Sequence, residues 1–150
     1  MTNNMHGKVI ELFITHNDTA KTRESVSSIS VDKNGIINDK FYAKDEMRAI
    51  LLSSIQSYEI SLQNSIEVDK GALGENILID INPYALVAGN RLKIGQVELE
   101  ITQNCTMCKG LSKVNSKLPK LLKNDRGIFA KVIGCSSEIH LGDKVEIFNY

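Results

Sequence analysis

Cys105-Thr106-Met107-Cys108 places two thiols three positions apart, a spacing that reads as metal-binding or reactive sulfur more readily than as half of a disulfide framework. The thiolate is the form that attacks sulfur or binds soft metals, and Lys109, Arg126 and Lys131 would lower a thiol pKa if the fold brings them near. Against this stands the packing interpretation, because free cysteine is among the most buried residue types. Cys105, Cys108, Cys135 and His140 also supply donor types for tetrahedral zinc. The four residues between Cys135 and His140 look like a hairpin rather than a compact ligand turn, which argues against zinc. His6, His16 and His140 read as surface or satisfied-core residues without an evident partner.

Two further segments carry polar groups in unusual settings. In Gly71-Ala72-Leu73-Gly74-Glu75-Asn76 the glycines allow close backbone approach, and Glu75 and Asn76 can either satisfy that backbone or face a ligand. In Arg126-Gly127-Ile128-Phe129-Ala130-Lys131-Val132, Phe129 and Val132 read as core, while Arg126 and Lys131 are placed to meet an anion or solvent.

These residues need elements to position them. Lys8 to Thr15 and Val26 to Val31 read as strands from their β-branched and alternating content, and Asn34-Gly35 carries the signature of a tight turn with positive φ. Glu46 to Leu62 fits both a helical period and a buried strand; Ser53 and Ser54 offer N-caps, so a short strand followed by a helix from near Ser54 is expected. Ile77 to Ile81 reads as a strand ended by Asn82-Pro83. Between Arg91 and Thr102, Val97, Leu99 and Ile101 alternate with Glu98 and Glu100, the pattern of a half-buried hairpin strand that delivers Cys105 to a loop. Leu111 to Leu122 is helical but interrupted at Pro119, and Ile128 to Ile133 and Lys144 to Phe148 return to strand character. Short strands punctuated by glycine turns predict a mostly β chain, α+β by strict count, built as a closed or partly open β-barrel with a few short helices over its ends.

The 150 residues, 42% hydrophobic and 24% charged, suit one soluble domain over residues 1–150. Eighteen Lys+Arg balance eighteen Asp+Glu, so no global field draws the chain to nucleic acid or an acidic membrane. No apolar run approaches the roughly 20 residues of a membrane helix. Met1 to Lys8 lacks a signal-peptide core, which points to a reducing cytoplasm and free thiols.

Taken in order, seven segments resemble the MOSC domain, named for the C-terminal part of molybdenum cofactor sulfurases. They are Gly35-Ile36-Ile37-Asn38-Asp39, Arg48-Ala49-Ile50-Leu51-Leu52, Gly74-Glu75-Asn76-Ile77, Leu92-Lys93-Ile94-Gly95, Ile101-Thr102-Gln103 with the cysteines after it, Arg126 to Val132, and Gly142-Asp143-Lys144-Val145. The similarity covers nearly the whole chain and is nearest to small standalone bacterial members. It implies a MOSC-like β-barrel that binds the molybdenum cofactor (molybdopterin) or carries sulfur for metal-sulfur assembly, with a sulfur-transferase-like activity as one possibility. It further implies that Cys108, or else Cys105, holds a persulfide or ligates molybdenum. Arg48, Arg126 and Lys131 would then meet the cofactor phosphate, with Glu75 and Asn76 shaping the pocket. A cysteine desulfurase or molybdopterin biosynthesis proteins are the partners the resemblance implies. Relatives often carry a His where this chain has Asn38-Asp39-Lys40-Phe41, and a Pro where it has Asn104, so no role of those residues is carried over. The alternative is a non-catalytic pterin- or protein-binding module with structural or zinc-bound cysteines.

Overall fold

Alternating and β-branched segments become eleven strands among the residues described by the computed structural model, which are 5–16, 23–105, 111–134 and 136–148. In chain order they are β1 (Met5–Thr15), β2 (Arg23–Val26), β3 (Ser28–Asp32), β4 (Gly35–Ile36), β5 (Ile50–Ser54), β6 (Ile77–Ile79), β7 (Arg91–Ile94), β8 (Val97–Asn104), β9 (Ile128–Val132), β10 (Ser137–His140) and β11 (Lys144–Ile147). Three helices accompany them: α1 (Ile55–Gln63), α2 (Leu111–Val114) and α3 (Leu118–Leu121).

Seven of the strands close on themselves in the order β1-β11-β7-β8-β9-β5-β6 and back to β1. The length of β1 makes closure possible. One of its edges serves β11 through Met5–Lys8 and then β2 through Leu12–Thr15, while the other pairs with β6. All these pairs are antiparallel except β5–β6. The barrel core is aliphatic, with Leu12, Ile50, Leu52, Ile77, Leu92, Leu99 and Ile101 among its buried side chains. A second cluster of Ile66, Leu73, Leu111, Leu118 and Leu122, with Tyr58 packed against it, gathers α2 and α3 beside α1.

The structure refines several sequence expectations. Val26 to Val31 is two strands, not one: the chain bends at Ser27, sending β2 to the barrel and β3 to a separate sheet with β4 and β10. The Glu46 to Leu62 ambiguity resolves into a single 3-10 turn (Glu46–Arg48), β5, and α1 capped by Ser54, whose hydroxyl accepts from Gln56 N at 3.2 Å. Pro119 stands in the first turn of α3, where its missing N–H costs nothing, so the helical segment divides around it. Gly35 has φ +116, the left-handed turn conformation expected of Asn34-Gly35.

Candidate functional site

A cavity of about 610 Å³ lies where several strand ends converge, lined by Thr15, Arg23, Lys40, Phe41, Lys44, Asp45, Arg48, Leu51, Gly74, Asn76, Cys105, Arg126 and Phe129. Among the described residues, five cations face it against a single carboxylate, Asp45. The chain is neutral overall, so the positive charge is concentrated here and compensated elsewhere.

Arg126 is delivered by a tightly held backbone. Ser53 Oγ donates to the Arg126 carbonyl at 2.7 Å, Tyr84 Oη donates to it at 3.2 Å, and Ser57 Oγ donates to the carbonyl of Asp125. Gly127 follows because a Cβ there would meet Leu51 Cδ1 at 2.9 Å and the Leu52 carbonyl at 3.1 Å. The guanidinium turns back on the Gly71–Gly74 loop, donating to the Leu73 carbonyl from Nη2 at 2.8 Å and from Nε at 3.2 Å. Burial pushes the Tyr84 hydroxyl up to about 12, so this network keeps its proton at neutral pH.

Asn76 ties the wall together. Its backbone N–H donates to the Leu51 carbonyl at 2.8 Å, its Oδ1 accepts from Leu51 N at 3.0 Å, and its Nδ2 donates at 3.3 Å to both the Phe13 carbonyl and Asp39 Oδ1. Asp39 also accepts from Thr15 N at 2.8 Å and Phe41 N at 3.0 Å. A buried amide and a buried carboxylate thus fix the start of the 39–48 segment, which carries Lys40, Phe41, Lys44 and Arg48 to the cavity. Thr102, at the irregularity between β8 and β9, donates from its hydroxyl to the Met47 carbonyl and pins the turn before Arg48.

Glu75 lies behind the wall, fully buried. Burial pushes its carboxyl up, opposed first by the hydrogen bond that Tyr58 Oη donates to its Oε2. Arg23 Nη1 donates to Thr15 Oγ1 at 2.8 Å, Nη2 donates to the Glu75 carbonyl, and the guanidinium lies 5.5 Å from the centre of the Phe13 ring. Burial lowers the Arg23 pKa, opposed by the negative charge of Glu75 and Asp39.

Of the residues singled out from sequence, Cys105, Arg48, Asn76 and Arg126 share this cavity. Cys105 is 7% exposed, and its N–H donates to the Gly127 carbonyl at 3.1 Å. Cys108 and Cys135 lie outside the described residues. Lys131 is absent from the lining. Ile128, Ala130 and Val132 are buried in the core, so Phe129 and Lys131 share the other face of β9, and Lys131 Nζ sits 3.6 Å from Glu100 across the β8–β9 register. Phe129 is therefore a cavity residue rather than the core residue expected. His140, exposed at the end of β10, places Nδ1 3.8 Å from Asp143, and His16 Nε2 contacts Glu24 at 2.5 Å, a partner invisible in the sequence. Sequence reasoning missed Arg23, Lys40, Lys44 and the two phenylalanines as site residues. The cationic spacing from Lys40 to Arg48 was a usable signal; Arg23, in a polar segment, gave none.

The family model of the MOSC domain matches residues 30–146. The chain belongs to the MOSC domain family. That family is linked to molybdenum-cofactor binding and sulfur-related roles. Among solved structures, the YuaD protein of Bacillus subtilis shares the fold with a TM-score of 0.83 at 20% identity, each chain covered over 100% of its length. YiiM of Geobacillus stearothermophilus is similar at TM-score 0.72 and 14% identity, over 96% of this chain and 75% of its own. YiiM of Escherichia coli gives 0.69 and 18%, over 95% of this chain and 69% of its own. At these identities the likeness concerns the fold. Among curated proteins none matches the chain. No helix among the described residues is long and apolar enough to cross a membrane.

Proposed function

We propose that this MOSC domain binds the molybdenum cofactor by its phosphate and presents a cysteine sulfur, as thiolate or persulfide, to the cofactor or to a sulfur-transfer partner. The observation that carries this reading is one cavity gathering, among the described residues, five cations, the Phe41 and Phe129 rings, and Cys105. The donor set fits such a guest: guanidinium groups bind phosphate bidentately, apolar rings cover a flat heterocycle, and thiolate suits a soft metal. When bound, the cofactor would supply metal-centred redox and oxygen- or sulfur-transfer chemistry. Arg48 and Arg126 meet the phosphate, Lys40 and Lys44 attract it as point charges, and Asn76 with Asp39 holds the wall in register. Glu75 shapes the pocket from behind.

Cys108 is the exchanging sulfur in this reading and Cys105 the supporting one. Loading is a thiolate attack on the outer sulfur of a donor persulfide, such as that of a cysteine desulfurase; the new S–S bond forms on the cysteine as the donor S–S bond breaks and the donor leaves as thiolate. Mass spectrometry of anaerobically handled protein tests it. Wild type gains one sulfur atom from a persulfide donor, and Cys108→Ser loses that gain and weakens cofactor binding. Unchanged loading and binding in Cys108→Ser would refute the assignment of that sulfur, and unchanged binding in the Cys105→Ser, Cys108→Ser double variant would leave a binding module without sulfur chemistry.

A further inference from the structure

Arg23, like Arg126, differs in kind from the exposed cations of the cavity. Arg48 is well exposed, its nearest carboxylate Asp45 at 3.9 Å, and Lys44 is exposed too. Such side chains lose rotamer freedom when they close on a ligand. Arg23 has already lost it: each terminal nitrogen commits one N–H to the protein, on Thr15 Oγ1 and on the Glu75 carbonyl, and the plane is set over Phe13. A guanidinium carries two N–H groups on each terminal nitrogen, so one on each remains for a guest.

Among the described residues Arg23 forms no ion pair; the Glu75 group it touches is the carbonyl, while the Glu75 carboxylate is engaged by Tyr58. Among the described residues two buried atoms, Arg23 Nε and Glu75 Oε1, have no hydrogen-bond partner. A half-buried cation held rigid, with the Glu75 and Asp39 carboxyl groups nearby but neither in contact with it as an ion pair, can still take an anionic group directly. The cavity is the side from which that group can arrive.

The neighbouring backbone leaves room for it. Arg23 and Arg126 are bonded to the carbonyls of Glu75 and Leu73, two residues apart, and Gly74 stands between them with φ +91. A Cβ at Gly74 would find only Arg126 Nη2 at 3.5 Å and Leu51 Cδ2 at 3.8 Å, so the space beside the glycine opens between side chains rather than onto packed backbone.

We infer that Arg23 is the fixed oxyanion anchor of the cavity, binding a phosphate-type group at the Gly74 wall, with Lys44 and Arg48 closing over that group as secondary contacts. The inference rests on the anion-binding reading of the cavity and adds to it a fixed anchor that the reading did not include. Pyrophosphate and inorganic phosphate are the probes, measured by isothermal titration on the full chain at low ionic strength. Arg23→Gln should weaken binding by more than about tenfold, as expected for loss of charge-assisted hydrogen bonds, and Arg23→Lys should recover part of it, whereas Arg48→Gln should cost about threefold or less. A second measurement needs no variant: pyrophosphate should protect Arg23 of the wild-type protein from phenylglyoxal, read by peptide mass spectrometry. A folded Arg23→Gln that binds within about twofold of wild type, or an Arg23 modified equally with and without pyrophosphate, overturns the anchor while leaving the cavity reading standing. Wild-type protein that binds neither probe overturns both.

Discussion

Truncating Asn76 to alanine removes the side chain that joins β1 to β5, and its cost can be worked from three contacts. Leu51 N loses an acceptor at 3.0 Å in a buried position, which costs about 1–3 kcal/mol. The Phe13 carbonyl and Asp39 Oδ1 each lose a donor at 3.3 Å, long enough that each contributes about 0.5 kcal/mol. The sum is about 3 kcal/mol, which for a chain of this length lowers Tm by about 6–12 °C. Asn76→Asp sharpens the test. Aspartate keeps the acceptor for Leu51 but sets a carboxylate beside Asp39, 3.3 Å from the Asn76 amide in the wild type, so it should be worse than alanine at neutral pH. Repulsion raises the pKa of that pair above its unfolded value; the variant should therefore regain stability as pH falls and lose it as pH rises. Urea unfolding at several pH values reads both effects, with an unchanged m-value showing that the native fold is retained. A loss below about 1 kcal/mol for alanine, or an aspartate variant no worse than alanine at neutral pH, would refute the claim that this amide holds the wall.

Three other outcomes follow from the geometry. Burial raises the Glu75 carboxyl above its ordinary 4.5, so its favourable contribution is complete below that pH and declines as pH rises through the folded-state value; Glu75→Gln should flatten this decline in pH-dependent urea unfolding, and parallel profiles would count against it. Gly71→Ala should cost at least about 2 kcal/mol and Gly89→Ala about 1 kcal/mol, because both have positive φ (+94 and +95) but only at Gly71 does the new Cβ meet Phe13, at 2.9 Å; thermal denaturation of the two variants separates clash from backbone strain. Tyr84→Phe strips the acceptor from Ser54 N, removes one of the two contacts of Ser57 Oγ and loosens the Arg126 carbonyl, so about 2 kcal/mol of stability and part of the pyrophosphate affinity should go together, and titration calorimetry beside urea unfolding detects a failure of either.

What the sequence by itself determined was local. The alternation of Val97, Leu99 and Ile101 faces the core as expected, Ser54 caps α1, and Gly35 turns with positive φ, because each depends on residues within a few positions of one another. The seven ordered segments specified the family for the same reason. Strand parity was available too: Phe129 and Val132 are three apart and cannot share one face of a regular strand, so only one of them could be core.

The tertiary structure alone decided where charge gathers. A neutral composition gives no hint that Arg23, Lys40, Lys44, Arg48 and Arg126 converge, since convergence follows from closing β1 on β11 at one end of the chain and on β6 in its middle. The same closure turns Lys131 onto Glu100 and buries Glu75 behind the wall that Asn76 holds. Strand formation is a property of neighbouring residues. A site assembled from segments 50 to 100 positions apart is a property of barrel register, which only the packed chain sets.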